Sequence, residues 1–297
     1  MYVPFREQAH LLSRINLFKI NMNMTKLLLL GFAVIAVAMV AFVSCKPKQE
    51  APKVLVLYFS QTSNTKGVAQ EIATRLNADI EEIVPVQPYD GDFDATIERC
   101  MRERTPEIKP LTSDLAKYDV IFIGYPVWFG TFAPPVAVFL SNVDLSGKKL
   151  VPFCTFGSGG LESSMKDLAE KQPNAAILPG YGVRAARMDV VPMEVERFLI
   201  AGGFIEGEYT EPEAFPEQHP VNDDETAIFD AAVDGYPMLN AKAIAVASRT
   251  IPEGTEYLFT AKDQPREDNP KMPPAGELKV YVLVQEGKAP VFTKVVR

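Results

Sequence analysis

Over residues 53–208 the sequence predicts a doubly wound α/β fold, a parallel sheet of about five strands with helices on both faces, and after it a small α+β unit. Two observations predict the first part. Continuous apolar runs such as Val54-Leu55-Val56-Leu57-Tyr58-Phe59 mark strands covered on both sides. Between them, amphipathic stretches such as Val68, Ile72 and Leu76 recur at helical spacing, with short connections. A third observation sets the tail apart. Beyond residue 224 one helical stretch is followed only by alternating, turn-separated strands, the pattern of an antiparallel meander.

Taken in order, the first strand and helix are joined by Ser60-Gln61-Thr62-Ser63-Asn64-Thr65. Ile80–Val86 predicts a second strand and Asp94–Arg104 a helix. Tyr118–Gly124 predicts a third strand, and Pro134–Asn142 a helix that tolerates Pro135 in its first turn. Lys149–Thr155 and Glu162–Lys171 repeat the pattern. Ala175–Val183 is a fifth strand weakened by Pro179 and Gly180, and Met193–Ala201 is a closing helix stopped by Gly202-Gly203. In such a sheet, ligands bind at the carboxyl ends of strands beside the topological switch point. Three loops gather there: the hydroxyl-rich turn, Tyr125-Pro126-Val127-Trp128-Phe129-Gly130-Thr131, and Phe156-Gly157-Ser158-Gly159-Gly160.

The first turn opens a helix, whose unpaired N–H groups and positive dipole end suit a phosphate. It carries neither a Walker lysine with its glycines nor a dinucleotide GxGxxG. Its plainer reading is a Ser/Thr-rich turn with a capped helix. Ser60-x-Thr62-Ser63-x-Thr65 resembles the flavodoxin signature S/T-x-T-G-x-T, with Ser63 where that family usually has Gly; if that Gly serves a positive φ, Ser63 carries a strain cost or the loop is slightly rearranged. The string Gly124-Tyr125-Pro126-x-Trp128-x-Gly130 is similar to a flavodoxin-like subfamily related to FMN-dependent reductases. The resemblance covers residues 53–208 and implies non-covalent FMN. Ser60, Thr62, Asn64 and Thr65 would hold the phosphate, with Ser63 donating through its backbone. Pro126, Val127, Trp128, Phe129 and Gly130, together with Thr155, Phe156, Gly157 and Gly159, would flank the isoalloxazine. It also implies acidic surroundings that favour low-potential electron transfer.

Other residues have quieter readings. Trp128, the single Trp, could instead plug the core at the start of the next helix. Phe129 and Phe156 read as packing rather than stacking. Cys154 reads as a small buried apolar residue, and Cys100 carries no feature that would make it reactive. Arg184 and Arg187 read as solvated surface.

Composition narrows the chemistry. The chain has 297 residues, 30 Lys and Arg against 38 Asp and Glu, and two histidines. The acidic balance argues against nucleic acid as a partner, and the scarcity of His against a Ser-His-Asp triad or a His-rich metal site. Three cysteines show no zinc spacing and no disulfide framework.

Residues 1–44 read as a targeting segment. Leu27–Val43 is a run of 17 apolar or Gly residues behind Lys26, and Phe42-Val43-Ser44-Cys45 resembles a bacterial lipobox. That resemblance implies cleavage before Cys45 and lipidation of its thiol, with residues 45–52 as a tether; Met22 or Met24 is the more natural start. A simple membrane anchor is the alternative. Either places the chain in the cell envelope, outside the cytoplasm and bound to a membrane.

In the tail, residues 209–224 are rich in Pro and acidic residues and read as a linker. A helix over Glu225–Val233 and strands over Leu239–Ile251, Thr255–Lys262, Glu277–Gln285 and Val291–Arg297 follow. This order resembles the cystatin fold, but the inhibitory-loop position, Ser248–Gly254, keeps only the final Gly, so a binding or spacer role is expected rather than protease inhibition. The whole reads as an FMN-dependent electron carrier or oxidoreductase. Its partners would be redox proteins or a small-molecule acceptor. The alternatives are an FMN-dependent NAD(P)H:quinone or nitro reductase, and a scaffold without FMN acting as a binding module.

Overall fold

The computed structural model describes residues 52–89, 92–236, 239–265 and 276–297. The targeting segment, Cys45 and the tether up to residue 51 lie outside the described residues, and among those described no helix is long and apolar enough to cross a membrane. The first sheet is built from β1 (Val54–Tyr58), β2 (Asp79–Glu82), β3 (Val120–Trp128) and β5 (Lys149–Phe156), with two short pieces, β6 (Ala176–Ile177) and β7 (Tyr181–Arg184), on the far side of β5. All these pairs are parallel, and the order is β2-β1-β3-β5-β6. The expected fifth strand is therefore interrupted: β6 pairs with the start of β5 and β7 with its end. Pro179 and Gly180 lie between the two pieces, where Pro cannot donate to a ladder.

Side chains alternate between two cores because successive residues of a strand point to opposite faces. Leu55, Leu57, Ile121 and Ile123 face one layer, which receives Cys100 of α2 (Phe93–Arg102), Phe139 and Leu140 of α3 (Pro134–Asn142) and Leu168 of α4 (Leu161–Lys171). Val56, Val120, Phe122 and Val151 face the other. There they meet Val68 and Ile72 of α1 (Asn64–Leu76) and Val195 and Leu199 of α5 (Val191–Ala201). Helices on both faces make the sheet doubly wound, as expected. Gly124 shows how tight the packing is: a Cβ there would lie 2.1 Å from the Phe153 ring on the neighbouring strand.

β3 is longer than the apolar run suggests. It continues through Pro126 and Val127 to Trp128, because β4 (Thr131–Phe132) turns back and pairs with it, Val127 with Phe132 and Trp128 with Thr131.

The second sheet is an antiparallel meander, β9 (Ala241–Ile251), β10 (Gly254–Asp263), β11 (Glu277–Val284) and β12 (Val291–Val296), edged by the short β8 (His219–Pro220). Helix α6 (Asp223–Val233) begins two residues earlier than the apolar pattern indicates. Asn222 caps it, accepting from the Glu225 N–H while the Glu225 carboxylate accepts from the Asn222 N–H. Phe229 of α6 is fully buried against Phe259 of β10, so the helix closes one face of the meander. The Pro/acidic stretch 209–224 thus carries β8 and the start of α6. It also lays Phe215 beside Tyr281 and under Arg249, and its linker character gives way because these residues find partners on the sheet.

Gly124→Ala should destabilise the protein by about 1–3 kcal/mol, because the added methyl has to displace the Phe153 ring in a packed core. Urea unfolding with an unchanged slope measures this, and an unaltered midpoint would mean that the ring moves aside freely.

Candidate functional site

The strand order places the switch point between β1 and β3: the chain leaves β1 for β2 on one side and returns to β3 on the other. Ser60–Thr65 and the end of β3 therefore stand side by side at the carboxyl edge, with the loop after β5 next along.

Each part of the first turn has a distinct state. The Ser60 hydroxyl is buried and has no hydrogen-bond partner among the described residues. Thr62 and Ser63 are exposed, and the Asn64 amide donates to the Thr62 hydroxyl at 3.3 Å. Ser63 precedes α1 with φ 68°, in the left-handed region, and no side chain caps the helix. The capped-turn reading is therefore not what these hydroxyls do. Ser63 thus holds a left-handed conformation of the kind that favours Gly, and as a residue with a Cβ it carries the strain. Thr65 is buried, its hydroxyl 2.8 Å from that of Thr155 on β5. One O–H of that pair bridges the two oxygens, which leaves the second O–H free to donate elsewhere. The donor set is hydroxyls and helix N–H groups with no cation, and a buried hydroxyl waits unsatisfied; these residues fit a phosphate ester.

The second element is a two-residue hairpin turn, Phe129 at φ 52° and Gly130 at φ 81°. Both central residues are left-handed, a conformation that favours Asn-Gly and penalises a bulky aromatic. α4 braces the hairpin: the Ser163 hydroxyl donates to the Gly130 carbonyl at 2.5 Å, and the Thr131 hydroxyl donates to Asp167. Phe129 is 69% exposed. The packing role expected for it is overturned, because the turn aims its ring away from the core; Phe156, by contrast, is buried as expected. Pro126, Val127 and Trp128 are half-buried. Trp128 meets Phe59 and Tyr89 edge-on, with centroids 5.7 and 5.2 Å apart. It is partly packed and partly open, neither a core plug nor a free surface ring.

Tyr89 is a residue the sequence reading missed. It is 9% exposed, its hydroxyl has no partner among the described residues, and Arg99 lies over its ring. No local signal marks it, since only the folded sheet brings the loop after β2 to Phe59 and Trp128. A hollow of about 200 Å³ lined by Pro88, Tyr89, Thr96 and Arg99 borders the site on this side. A larger, shallow one of about 450 Å³, lined by Asp230, Val233, Asp234, Gly235, Tyr236 and Leu239, lies in the second module. Neither fills the space between the three loops.

The third element differs most from expectation. Thr155 is buried, and Gly157 and Gly159 face the second module: a Cβ at Gly159 would lie 2.1 Å from the Val295 carbonyl, and one at Gly157 would lie 2.8 Å from the Tyr236 hydroxyl. Arg184 and Arg187 are each 8% exposed, which overturns the solvated reading. Arg187 pairs with Glu194 at 2.7 Å. Arg184 donates to the Gly157 carbonyl at 2.8 Å, and burial pushes its guanidinium below the usual range without threatening its charge. The charge buried against the Gly-rich loop is thus cationic, where acidic surroundings were expected. Cys100 and Cys154 are buried, and burial pushes both thiols up, so neither is poised as a nucleophile.

Residues 53–191 match the flavodoxin family model. No curated protein matches the chain. Among solved structures, the chain is similar to a Bacteroides eggerthii DSM 20697 protein assigned to the flavoproteins: 28% identity over 51% of this chain and 98% of that one, TM-score 0.45. It is also similar to a Lactobacillus acidophilus NCFM flavoprotein solved in complex with FMN, at 25% identity over 44% and 93%, TM-score 0.39. A third is oxidised flavodoxin 2 of Bacillus cereus, at 17% identity over 48% and 95%, TM-score 0.32.

Ser63→Gly should raise stability by about 0.5–1 kcal/mol, since relief of left-handed strain outweighs the added freedom of the unfolded chain. A thermal melt that does not rise would place the strain elsewhere.

Proposed function

We propose that this flavodoxin-like chain binds FMN non-covalently and carries electrons outside the cytoplasm, held at a membrane by a lipid on Cys45. The observation that carries the FMN reading is the Ser60–Thr65 turn. At the switch point it offers an orphaned buried hydroxyl, an uncapped helix start and a left-handed Ser63. The family match over 53–191 supports it.

FMN, when bound, supplies the redox chemistry; the protein supplies binding, orientation and electrostatics. Ser60, Thr62 and Asn64 would hold the phosphate beside the N–H groups of α1. Thr65 would share that task with Thr155, because their two hydroxyls need only one proton between them. Trp128 and the braced hairpin would stand on one side of the isoalloxazine, and Thr155–Gly159 on the other. An electron carrier suits the chain better than a self-sufficient NAD(P)H:quinone or nitro reductase, because the sequence holds no second nucleotide signature. Lipidation rests on the sequence alone: the apolar run, then Ser44 and Cys45.

A scaffold without FMN is the second reading. The observation in its favour is that Tyr236 and Val295 already press on Gly157 and Gly159. In either reading the hairpin at the cystatin-like inhibitory position is occupied, since its Glu253 is paired with Arg197 of α5. A papain-like protease should therefore remain uninhibited by the full-length protein.

The purified protein should show the yellow flavin spectrum or, if colourless, quench the fluorescence of added FMN. Ser60→Ala and Trp128→Ala should each weaken binding by about tenfold. A wild-type protein that neither carries FMN nor quenches it sinks the FMN reading. Labelling with palmitate in cells should be lost on Cys45→Ala; label that persists rules out Cys45 as the acceptor.

A further inference from the structure

Three consecutive residues of the loop after β5 touch the second module. Gly157 lies against the Tyr236 hydroxyl, Ser158 accepts from the Val295 N–H of β12 at 2.6 Å, and Gly159 is pressed on the Val295 carbonyl. Arg184, at the end of β7, fastens the same joint. Its Nε donates to the Gly157 carbonyl at 2.8 Å and its Nη1 to the Phe292 carbonyl at 2.9 Å, while the guanidinium lies 3.4 Å from the centroid of the Phe292 ring. Two ion pairs flank it. Lys294 of β12 meets Glu162 in the first turn of α4 at 2.7 Å, and Glu253 of the β9–β10 hairpin meets Arg197.

We infer that the second module is a working wall of the cofactor site and that Arg184 is the positioning residue that couples them. Arg184 and β12 hold Gly157–Gly159 in the shape that receives the flavin ring, so docking of the module and binding of FMN support one another. This rests on the FMN reading above.

The chemistry of the joint argues for more than adhesion. Burying a cation is costly, and an apolar side chain of the same volume would join two apolar surfaces as well or better. No carboxylate lies within ion-pairing distance of Arg184 among the described residues; its charge is met only by two carbonyls and aromatic rings. An unneutralised positive charge on the Gly157 peptide favours whatever negative charge develops beside that loop. Geometry adds the coupling. A loop gripped at three successive residues cannot loosen without moving β12, and a coupling of this kind acts in both directions.

The test uses the full-length protein in detergent with Arg184→Met and, as a second way to break the joint, Val295→Pro, which removes the N–H that Ser158 accepts. Both should weaken FMN binding, followed by fluorescence quenching, by about tenfold or more. Amide exchange should quicken at 157–160 in both variants, and in the wild type FMN should slow exchange across 291–296. Arg184→Met should also lower the midpoint potential of the bound flavin, because a cation near the reduced ring is lost. A merely structural role lowers the melting temperature and leaves that potential unmoved. Wild-type affinity in both variants, or an unmoved potential in Arg184→Met, overturns the inference. If the wild type takes up no FMN, the FMN reading fails and this inference with it. In that case faster exchange at both 157–160 and 291–296 in the Arg184→Met apoprotein still reports whether the joint itself is real.

Discussion

Everything at the candidate site depends on β1, β3 and β5 being buried on both faces. A strand whose two faces are apolar has to be covered twice, so the chain must send helices to either side of the sheet. It achieves this by reversing direction across the sheet after β2, and that reversal opens the crevice between β1 and β3. The register then fixes which residues meet at its rim. Tyr58 pairs with Gly124, and Pro126 with Thr155, so the first turn, the hairpin and the Gly-rich loop emerge side by side. The Thr65–Thr155 contact spans β3 to tie the outer two together. Site and core follow from one constraint.

How much of this was legible in the sequence depended on how local the signal was. The parallel sheet and its helices could be read from apolar runs, because two-sided burial leaves no other composition. Ser63 could be marked as a strained position because the conformational demand belongs to a single residue. Phe129 could not: its exposure comes from a turn type that only the β3–β4 pairing reveals, and aromatic character by itself suggests packing. Arg184 and Arg187 looked like surface because an Arg after a strand has no visible partner. One partner of Arg184 lies 108 residues further on. The stretch 209–224 carried the composition of a linker, yet short-range capping by Asn222 and Glu225 and long-range packing by Phe215 gave it structure. Tyr89 went unnoticed for a different reason: only the folded sheet shows that the loop after β2 reaches the aromatic pair Phe59 and Trp128.

The second module changes the meaning of the glycines after β5. In sequence they look like openings for a ligand edge. In the fold they give the close approach that the backbone of β12 and the Tyr236 hydroxyl require. The two roles are compatible, since a glycine peptide offers its N–H and carbonyl in directions that a missing Cβ leaves clear. The loop is consequently specified from two sides, by the sheet that carries it and by the module that leans on it.

The Thr65–Thr155 bond joins residues 90 apart in the chain, and the Lys294–Glu162 pair residues 132 apart. Loop-closure entropy makes contacts of such long range late arrivals during folding, after the local βα units have formed. The tie between the first turn and β5 therefore depends on the sheet between them having formed. A small molecule that bridges the first turn and the Gly-rich loop would add a second tie across the crevice to the one that Thr65 and Thr155 already make.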